Sequence, residues 1–327
     1  VSKATVSNVL TKKKKVSPEI TRKVLEACEL YNYHPNRMAA YLTTKKMNVL
    51  GLLLNDEGSV IKRFQKDLIG GILQEAYENG YRIMIDMCTH DTQVVYNSLI
   101  SRSEPIDGVI LSLPQLHDER IKTMIENNVP FVLLGTPPDE LGDDVLYVNS
   151  DNIGLVYRTT MRLLKLGHKK IGFLNSLAHT TITKDRIEGY TKALGEFGYG
   201  FDPSMVYYTD NTAKTGKILT EDLLRTHPNV TAIITCSDDV AVGVYSVLKN
   251  MGLSVPSDIS IIALGGDDYI DTLNPRPTTA LIDYHIMGKE AVKLLLKKIH
   301  NEAIEYNKRI ISHQIVEGQS IAPPMSR

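Results

Sequence analysis

The residues best suited to chemistry are polar side chains placed after predicted strands. Asn55 and Asp56 follow the first strand, Asp151 marks a crossover, Ser237 and Asp238 follow a later strand, and Arg186 opens the helix after Lys184-Asp185. An arginine fork or a carboxylate can satisfy two neighbouring oxygens at once, so Arg186 and Asp151 suit vicinal sugar hydroxyls taken out of water. The alternative for Arg186 is an ordinary surface salt bridge. Catalysis has little to work with. The acidic pairs Asp238-Asp239 and Asp267-Asp268 have no His at metal-ligand spacing, and Thr215-Gly216-Lys217 lacks the earlier Gly of a phosphate loop. Neither an enzyme nor a metal site is expected.

A second chemistry is concentrated at the N-terminus. Residues 1 to 48 hold ten Lys or Arg against three acids, whereas the whole chain of 327 residues has a formal charge of -1. A basic end on an acidic body is the asymmetry expected when one end meets phosphate. Cys28, Cys88 and Cys236 are too few and too scattered for a disulfide framework or a zinc site, which fits reducing cytoplasm. No apolar run approaches the roughly 20 residues that cross a bilayer, and the basic N-terminus does not read as a signal peptide.

These groups need elements to position them. Ser2 is placed to cap a helix over 2 to 10, and Ser17-Pro18-Glu19 opens a second one with the stripe Ile20, Val24, Leu25, Ala27, Cys28 and Leu30. Pro35 starts a third stretch, too short to be stable without a partner helix or DNA. Beyond residue 48, short apolar runs alternate with amphipathic helices. Strands are expected at 49 to 54, 82 to 87, 108 to 113, 131 to 135, 170 to 174, 206 to 208, 232 to 235 and 260 to 264. Helices are expected at 64 to 79, 92 to 102, 118 to 127, 152 to 166, 185 to 197, 213 to 226, 238 to 251 and 287 to 300. Alternation of this kind implies parallel sheets covered on both faces, and so many units imply two doubly wound subdomains with a ligand cleft between them.

Three segments in order, Val1 to Leu10, Val16 to Val24 and Tyr33-His34-Pro35-Asn36-Arg37-Met38-Ala39, closely resemble the headpiece and hinge of the lactose repressor (LacI/GalR) family. Further along, Asp107-Gly108-Val109-Ile110, Gly167 to Ile171, Arg186 to Tyr190, Ser237-Asp238, Val255 to Ser260 and Pro277-Thr278-Thr279 each fall at the family's place. The resemblance implies a small all-α helix-turn-helix headpiece (1 to 34), a hinge helix (35 to 47) and an α/β core like that of periplasmic binding proteins. In that core, 48 to 163 with 284 to 311 would form one subdomain, and 164 to 283 with 312 to 327 the other. It also implies about fourteen further residues before Val1, carrying the first helix of the motif.

By the same resemblance, Lys3, Ala4 and Asn8 face base edges, Ser2, Thr5 and Ser7 bond phosphates, and Tyr33 and Asn36 contact the DNA backbone. Ala39 lies in the minor groove, and Leu42 wedges into the central base step. Taken alone, residues 2 to 10 read equally as a solvated helix, Lys12 to Lys15 as a solvated loop, and Leu42 as core; joined to the hinge they read as DNA contacts. Paired hinges imply a symmetric dimer on a pseudo-palindromic operator, and the Pro323-Pro324 ending without a leucine-repeat helix implies no tetramer.

The effector set implied is Asn55, Asp56, Asp151, Arg186, Ser237, Asp238, Gly265, Gly266 and Asp267, with Arg186 foremost. The family's usual Gly-Phe-Asp-Asp is replaced by Ala263-Leu264-Gly265-Gly266, a form resembling repressors for sucrose and related disaccharides, where glycines leave room for a larger ligand or a close backbone approach. Asn8 and Ser237 also depart from the commoner Arg and Asn. The expectation is a cytoplasmic, allosteric repressor of sugar-utilisation genes, released from its operator by a mono- or disaccharide and using no cofactor. A periplasmic-type sugar-binding protein and a co-repressor-dependent regulator stay open as alternatives.

Overall fold

The computed structural model describes residues 1–11, 14–33, 46–55, 63–88, 106–265 and 268–325. The chain divides into two compact units, Val1–Met47 and Asn48–Arg327. The helix expected over 92 to 102 and most of the expected hinge lie outside the described residues.

In the first unit, α1 (Lys3–Thr11) is capped by Ser2, whose Oγ accepts the Thr5 N–H at 3.2 Å. Helix α2 (Pro18–Leu30) starts with Pro at its first position, and Ser17 Oγ accepts the Ile20 N–H at 3.4 Å. The expected stripe on α2 is narrower than the sequence implied. Val24 is buried and Ile20 and Cys28 are half-buried, but Leu25, Ala27 and Leu30 face solvent, because the short α1 covers only one line along its partner.

The second unit holds two six-stranded sheets. The first takes β1 (Val49–Asn55), β2 (Arg82–Cys88), β3 (Gly108–Ser112), β4 (Phe131–Leu134), β5 (Tyr147–Ser150) and β11 (Lys308–Ile311) in the order β11-β5-β4-β3-β1-β2, all parallel. The second takes β6 (Ile171–Asn175), β7 (Val206–Tyr208), β8 (Ala232–Thr235), β9 (Ser260–Gly265), β10 (Thr278–Ile282) and β12 (His313–Val316) in the order β12-β10-β9-β8-β6-β7, with only β12 antiparallel. The central strands are buried along all or nearly all of their length, which is why they read as unbroken apolar runs. Strands β5, β10, β11 and β12 go beyond the expected set. They are short, and Tyr147-Val148-Asn149-Ser150 or Lys308-Arg309-Ile310-Ile311 carries too few apolar residues to announce a strand.

The chain crosses between the lobes three times, each time through one residue: Asp151 between β5 and α5 (Asn152–Lys165), Asp283 between β10 and α9 (Tyr284–Ile299), and Ser312 between β11 and β12. Both aspartates cap the helix that follows, Asp151 accepting from Gly154 N–H at 2.9 Å and Asp283 from Ile286 N–H at 2.8 Å. Helix α5 packs on α6 (Thr181–Glu196) of the second lobe, so the first crossing lies at Asp151 rather than near 163 as the sequence reading had it. Helix α9 returns to the first lobe against α3 (Arg63–Glu78), and the contact is close enough that a Cβ on Gly71 would overlap the His285 carbonyl. Helices α6 and α9 each begin a turn or so earlier than expected, at Thr181 and Tyr284, because polar Thr180 and Asp283 rather than the first apolar residue mark their starts. At a further point the lobes touch through backbone, with Leu116 N–H donating to His179 O at 2.9 Å and Thr181 N–H to Pro114 O at 3.1 Å.

Candidate functional site

Between the two sheets lies a cleft of about 810 Å³, its open mouth included. Its walls come from strand ends and helix starts of both lobes. Its apolar lining includes Phe64, Leu113, Ile182, Leu264, Tyr284 and Met287, with the Phe64 and Tyr284 rings 5.3 Å apart. Its polar lining includes Asn149, Asn152, Ser176, Arg186, Asn211, Ser237 and Asp238.

Arg186 is buried in the second turn of α6, and its guanidinium is gripped from two sides. Nε donates to Asn152 Oδ1 at 3.0 Å, and one terminal nitrogen reaches the Cys236 carbonyl at 3.4 Å. No ion pair to Arg186 occurs among the described residues, so the surface salt bridge that was its alternative is not what the structure shows. A buried cation without a carboxylate close by is costly unless polar groups, a ligand's included, surround it.

Asp238 opens α8 (Asp238–Asn250), where Ser237 Oγ accepts the Val240 N–H at 3.4 Å. The Asp238 carboxylate is buried in a niche that exists because residue 265 has no side chain; a Cβ on Gly265 would collide with all three atoms of that carboxyl group. The room at Gly265 is filled by Asp238, and Gly265 itself lines the cleft.

Two expected effector residues do other work. Asn55 donates from Nδ2 to Leu113 O at 2.7 Å, and its Oδ1 accepts from buried Arg120, which Asp118 holds in turn, so Asn55 ties β1 to the loop after β3 instead of lining the cleft. Asp151 spends its carboxylate on the Gly154 amide and on Arg158 at 2.8 Å, at the crossing. Burial works to raise its pKa, but those two bonds and the Arg158 charge outweigh it and hold the carboxyl below its ordinary value. Its neighbours Asn149, Ser150 and Asn152 line the cleft in its place. Asp56, Gly266 and Asp267 lie outside the described residues. The sequence reading missed Asn149, Asn152, Ser176 and Asn211. The discernible signal was position, since Asn149 to Asn152 span the end of a strand at the crossover.

In the headpiece, Lys3, Ala4 and Ser7 are exposed on one side of α1, with Thr5 and Asn8 half-buried beside them and Tyr33 exposed after α2. Ser2 Oγ caps the helix and lies 2.8 Å from Thr5 Oγ1. Asn36, Ala39 and Leu42 lie outside the described residues.

A model described as bacterial regulatory proteins, lacI family, matches residues 1–36, and one described as a periplasmic binding protein-like domain matches residues 160–321. The chain belongs to the lacI family of bacterial regulatory proteins. As a lacI-family protein it is a DNA-binding transcription regulator and not an enzyme. It is similar to the HTH-type transcriptional regulator RegA of Clostridium saccharobutylicum, 28% identical over 98% of this chain and 96% of that protein. It is equally similar to the ribose operon repressor of Haemophilus influenzae, 28% identical over 98% of this chain and 95% of that protein. Among solved structures, a transcriptional regulator CelR–cellobiose complex matches with a TM-score of 0.76 at 25% identity, covering 98% of this chain and 96% of that one. The lac repressor dimer bound to operator matches in fold with a TM-score of 0.85 at 22% identity, covering 98% and 96%. Membership of the lacI family removes the reading as a periplasmic binding protein without DNA function.

Proposed function

We propose that this lacI-family regulator is a cytoplasmic, dimeric repressor released from its operator by a neutral sugar bound in the cleft. The observation that carries the reading is buried Arg186, gripped by Asn152 and the Cys236 carbonyl in a cleft that Phe64 and Tyr284 also line. A sugar offers the matching chemistry. Its hydroxyls can accept from the guanidinium and donate to the Asp238 carboxylate and the Asn oxygens, while its C–H face covers the aromatic wall. The charge of the described lining, with Asp67, Asp238 and Asp239 against Arg186, disfavours an anionic effector such as a sugar phosphate.

Two comparisons support a sugar. A similar regulator is solved with cellobiose, and a relative is a ribose operon repressor. On the same reading Lys3, Ala4 and Asn8 read base edges, Ser2, Thr5 and Ser7 bond phosphates, Tyr33 and Asn36 contact the DNA backbone, and Ala39 and Leu42 enter the minor groove.

Calorimetry of the full-length protein against cellobiose, sucrose, trehalose, ribose, glucose 6-phosphate and hypoxanthine tests the ligand class. Binding by one or more neutral sugars, lost in Arg186→Ala, is expected. Binding of only the phosphate or the purine would overturn it.

A further inference from the structure

The bonds around Arg186 do not stop at Asn152. Asn152 Nδ2 donates to Asn149 Oδ1 at 2.9 Å, Asn149 Nδ2 donates to Thr136 Oγ1 at 2.7 Å, and the Thr136 hydroxyl donates to Asp185 Oδ2 at 2.6 Å. Every donor points the same way, from the Arg186 guanidinium toward the Asp185 carboxylate. The two ends are adjacent residues of α6 in the second lobe, whereas Thr136 and Asn149 belong to the first lobe, just after β4 and on β5. The path therefore leaves the second lobe, passes through the first and returns one residue away.

We propose that Arg186, Asn152, Asn149, Thr136 and Asp185 form a closed polar circuit that holds the two lobes together, and that Thr136 and Asp185 are positioning residues for Arg186. Neither of them lines the cleft; both face a separate cavity with Pro137, Pro138 and Lys184, so the circuit is the partition between the two spaces. The link to effector response rests on the cleft reading; the circuit's grip on the lobes does not.

Two features make the circuit more than local packing. Asn149, Asn152, Asp185 and Arg186 are all buried, so a donor or acceptor that lost its partner would pay the full cost of desolvation. The Asp185 carboxylate is matched by the Thr136 hydroxyl and, at 3.4 Å, by Asn149 Nδ2, and burial holds its pKa above the ordinary value. It has few ways to be satisfied except by Thr136 and Asn149 of the opposite lobe. Opening the cleft breaks the circuit at Thr136–Asp185, and a ligand that fixes Arg186 reinforces it from the other end.

The interlobe amides of Leu116 and Thr181, which donate to His179 O and Pro114 O, report the grip directly and need no ligand. Amide hydrogen exchange is measured on the full-length protein as wild type, Thr136→Val, Thr136→Ala and Thr136→Ser. Valine and alanine remove the hydroxyl that relays the circuit, and serine keeps it. Exchange at Leu116 and Thr181 is expected to speed up by about tenfold or more in the valine and alanine variants, the scale of losing about one net hydrogen bond. Amides of β3 and β8 should stay unchanged, and serine should restore the wild-type rate. Unchanged exchange at the two amides, or a rise shared equally by the sheet interiors, overturns the proposal. Absence of any sugar effect on operator binding in the wild type would sink the cleft reading while leaving this result to be judged by itself.

Discussion

Asp238 is where it is because residue 265 is glycine. The carboxylate occupies the volume that a side chain at position 265 would take, at the N-terminal end of α8 and at the edge of the cleft. Gly265→Ala must either push Asp238 into the cleft or move β9. A cost of about 1–3 kcal/mol in denaturant unfolding is expected, the usual range for overpacking a filled site. Adding Asp238→Ala to Gly265→Ala should return part of that stability, a non-additivity that a double-mutant cycle measures.

Arg186 is expected to respond to shape as well as to charge. Arg186→Lys keeps a cation but cannot hold Asn152, the Cys236 carbonyl and a ligand hydroxyl with one planar fork. The lysine variant should lose at least about tenfold in sugar affinity, equal to about 1.4 kcal/mol, with operator affinity in the absence of sugar unchanged. Calorimetry and operator titration separate the two.

Acid should weaken the fold through His168, which is buried, and His313, which is partly buried. His168 donates from Nε2 to the Ala322 carbonyl and accepts at Nδ1 from Thr231, both at 2.9 Å, which pins the C-terminal segment to the second lobe. Burial holds its pKa below 6.5, and burial with the Arg158 charge does the same for His313, whose Nε2 accepts from Arg158 at 3.0 Å. Because the unfolded chain takes up these protons first, the stabilisation is complete above about pH 6.5 and is lost as pH falls from there through the folded-state values. Asp185, held high by burial, acts in the opposite sense, and the low pKa of Asp151 matters only nearer the ordinary value of 3.8. The readout is thus the comparison between wild type and His168→Gln from pH 7 to 5, in which the variant should be less stable at pH 7 and show a flatter profile.

The headpiece depends on its caps. Ser17→Ala removes the acceptor for the Ile20 amide and should lower headpiece stability by about 1 kcal/mol, read as a weaker helical signal on heating. Ser17→Asp keeps an acceptor beside the helix N-terminus and should preserve it.

The sequence made much of this fold legible for physical reasons that differ by element. Val49 to Leu54 and Ser260 to Leu264 read as strands because both sheet faces are covered, and Ser17-Pro18-Glu19 read as a helix start because capping chemistry is local. Strands β11 and β12 were not readable, since Lys308 to Val316 gain their pairing from strands more than 30 residues away in sequence and stay partly exposed at sheet edges. Arg186, Ser237 and Asp238 were placed at the cleft by their position after strands. Asn55 and Asp151 satisfied the same positional rule, but the partners that claim them, Leu113, Arg120 and Arg158, are set by tertiary packing that no spacing reveals.

The central claim is that a neutral sugar in the cleft releases DNA. Its most direct test is fluorescence anisotropy of labelled operator with the full-length protein, titrated with and without the sugar that binds in calorimetry. The expected result is operator affinity at least about tenfold weaker with saturating sugar, a coupling of about 1.4 kcal/mol, and no such change in Arg186→Ala. Operator affinity that is unchanged or tighter in the presence of bound sugar would contradict it.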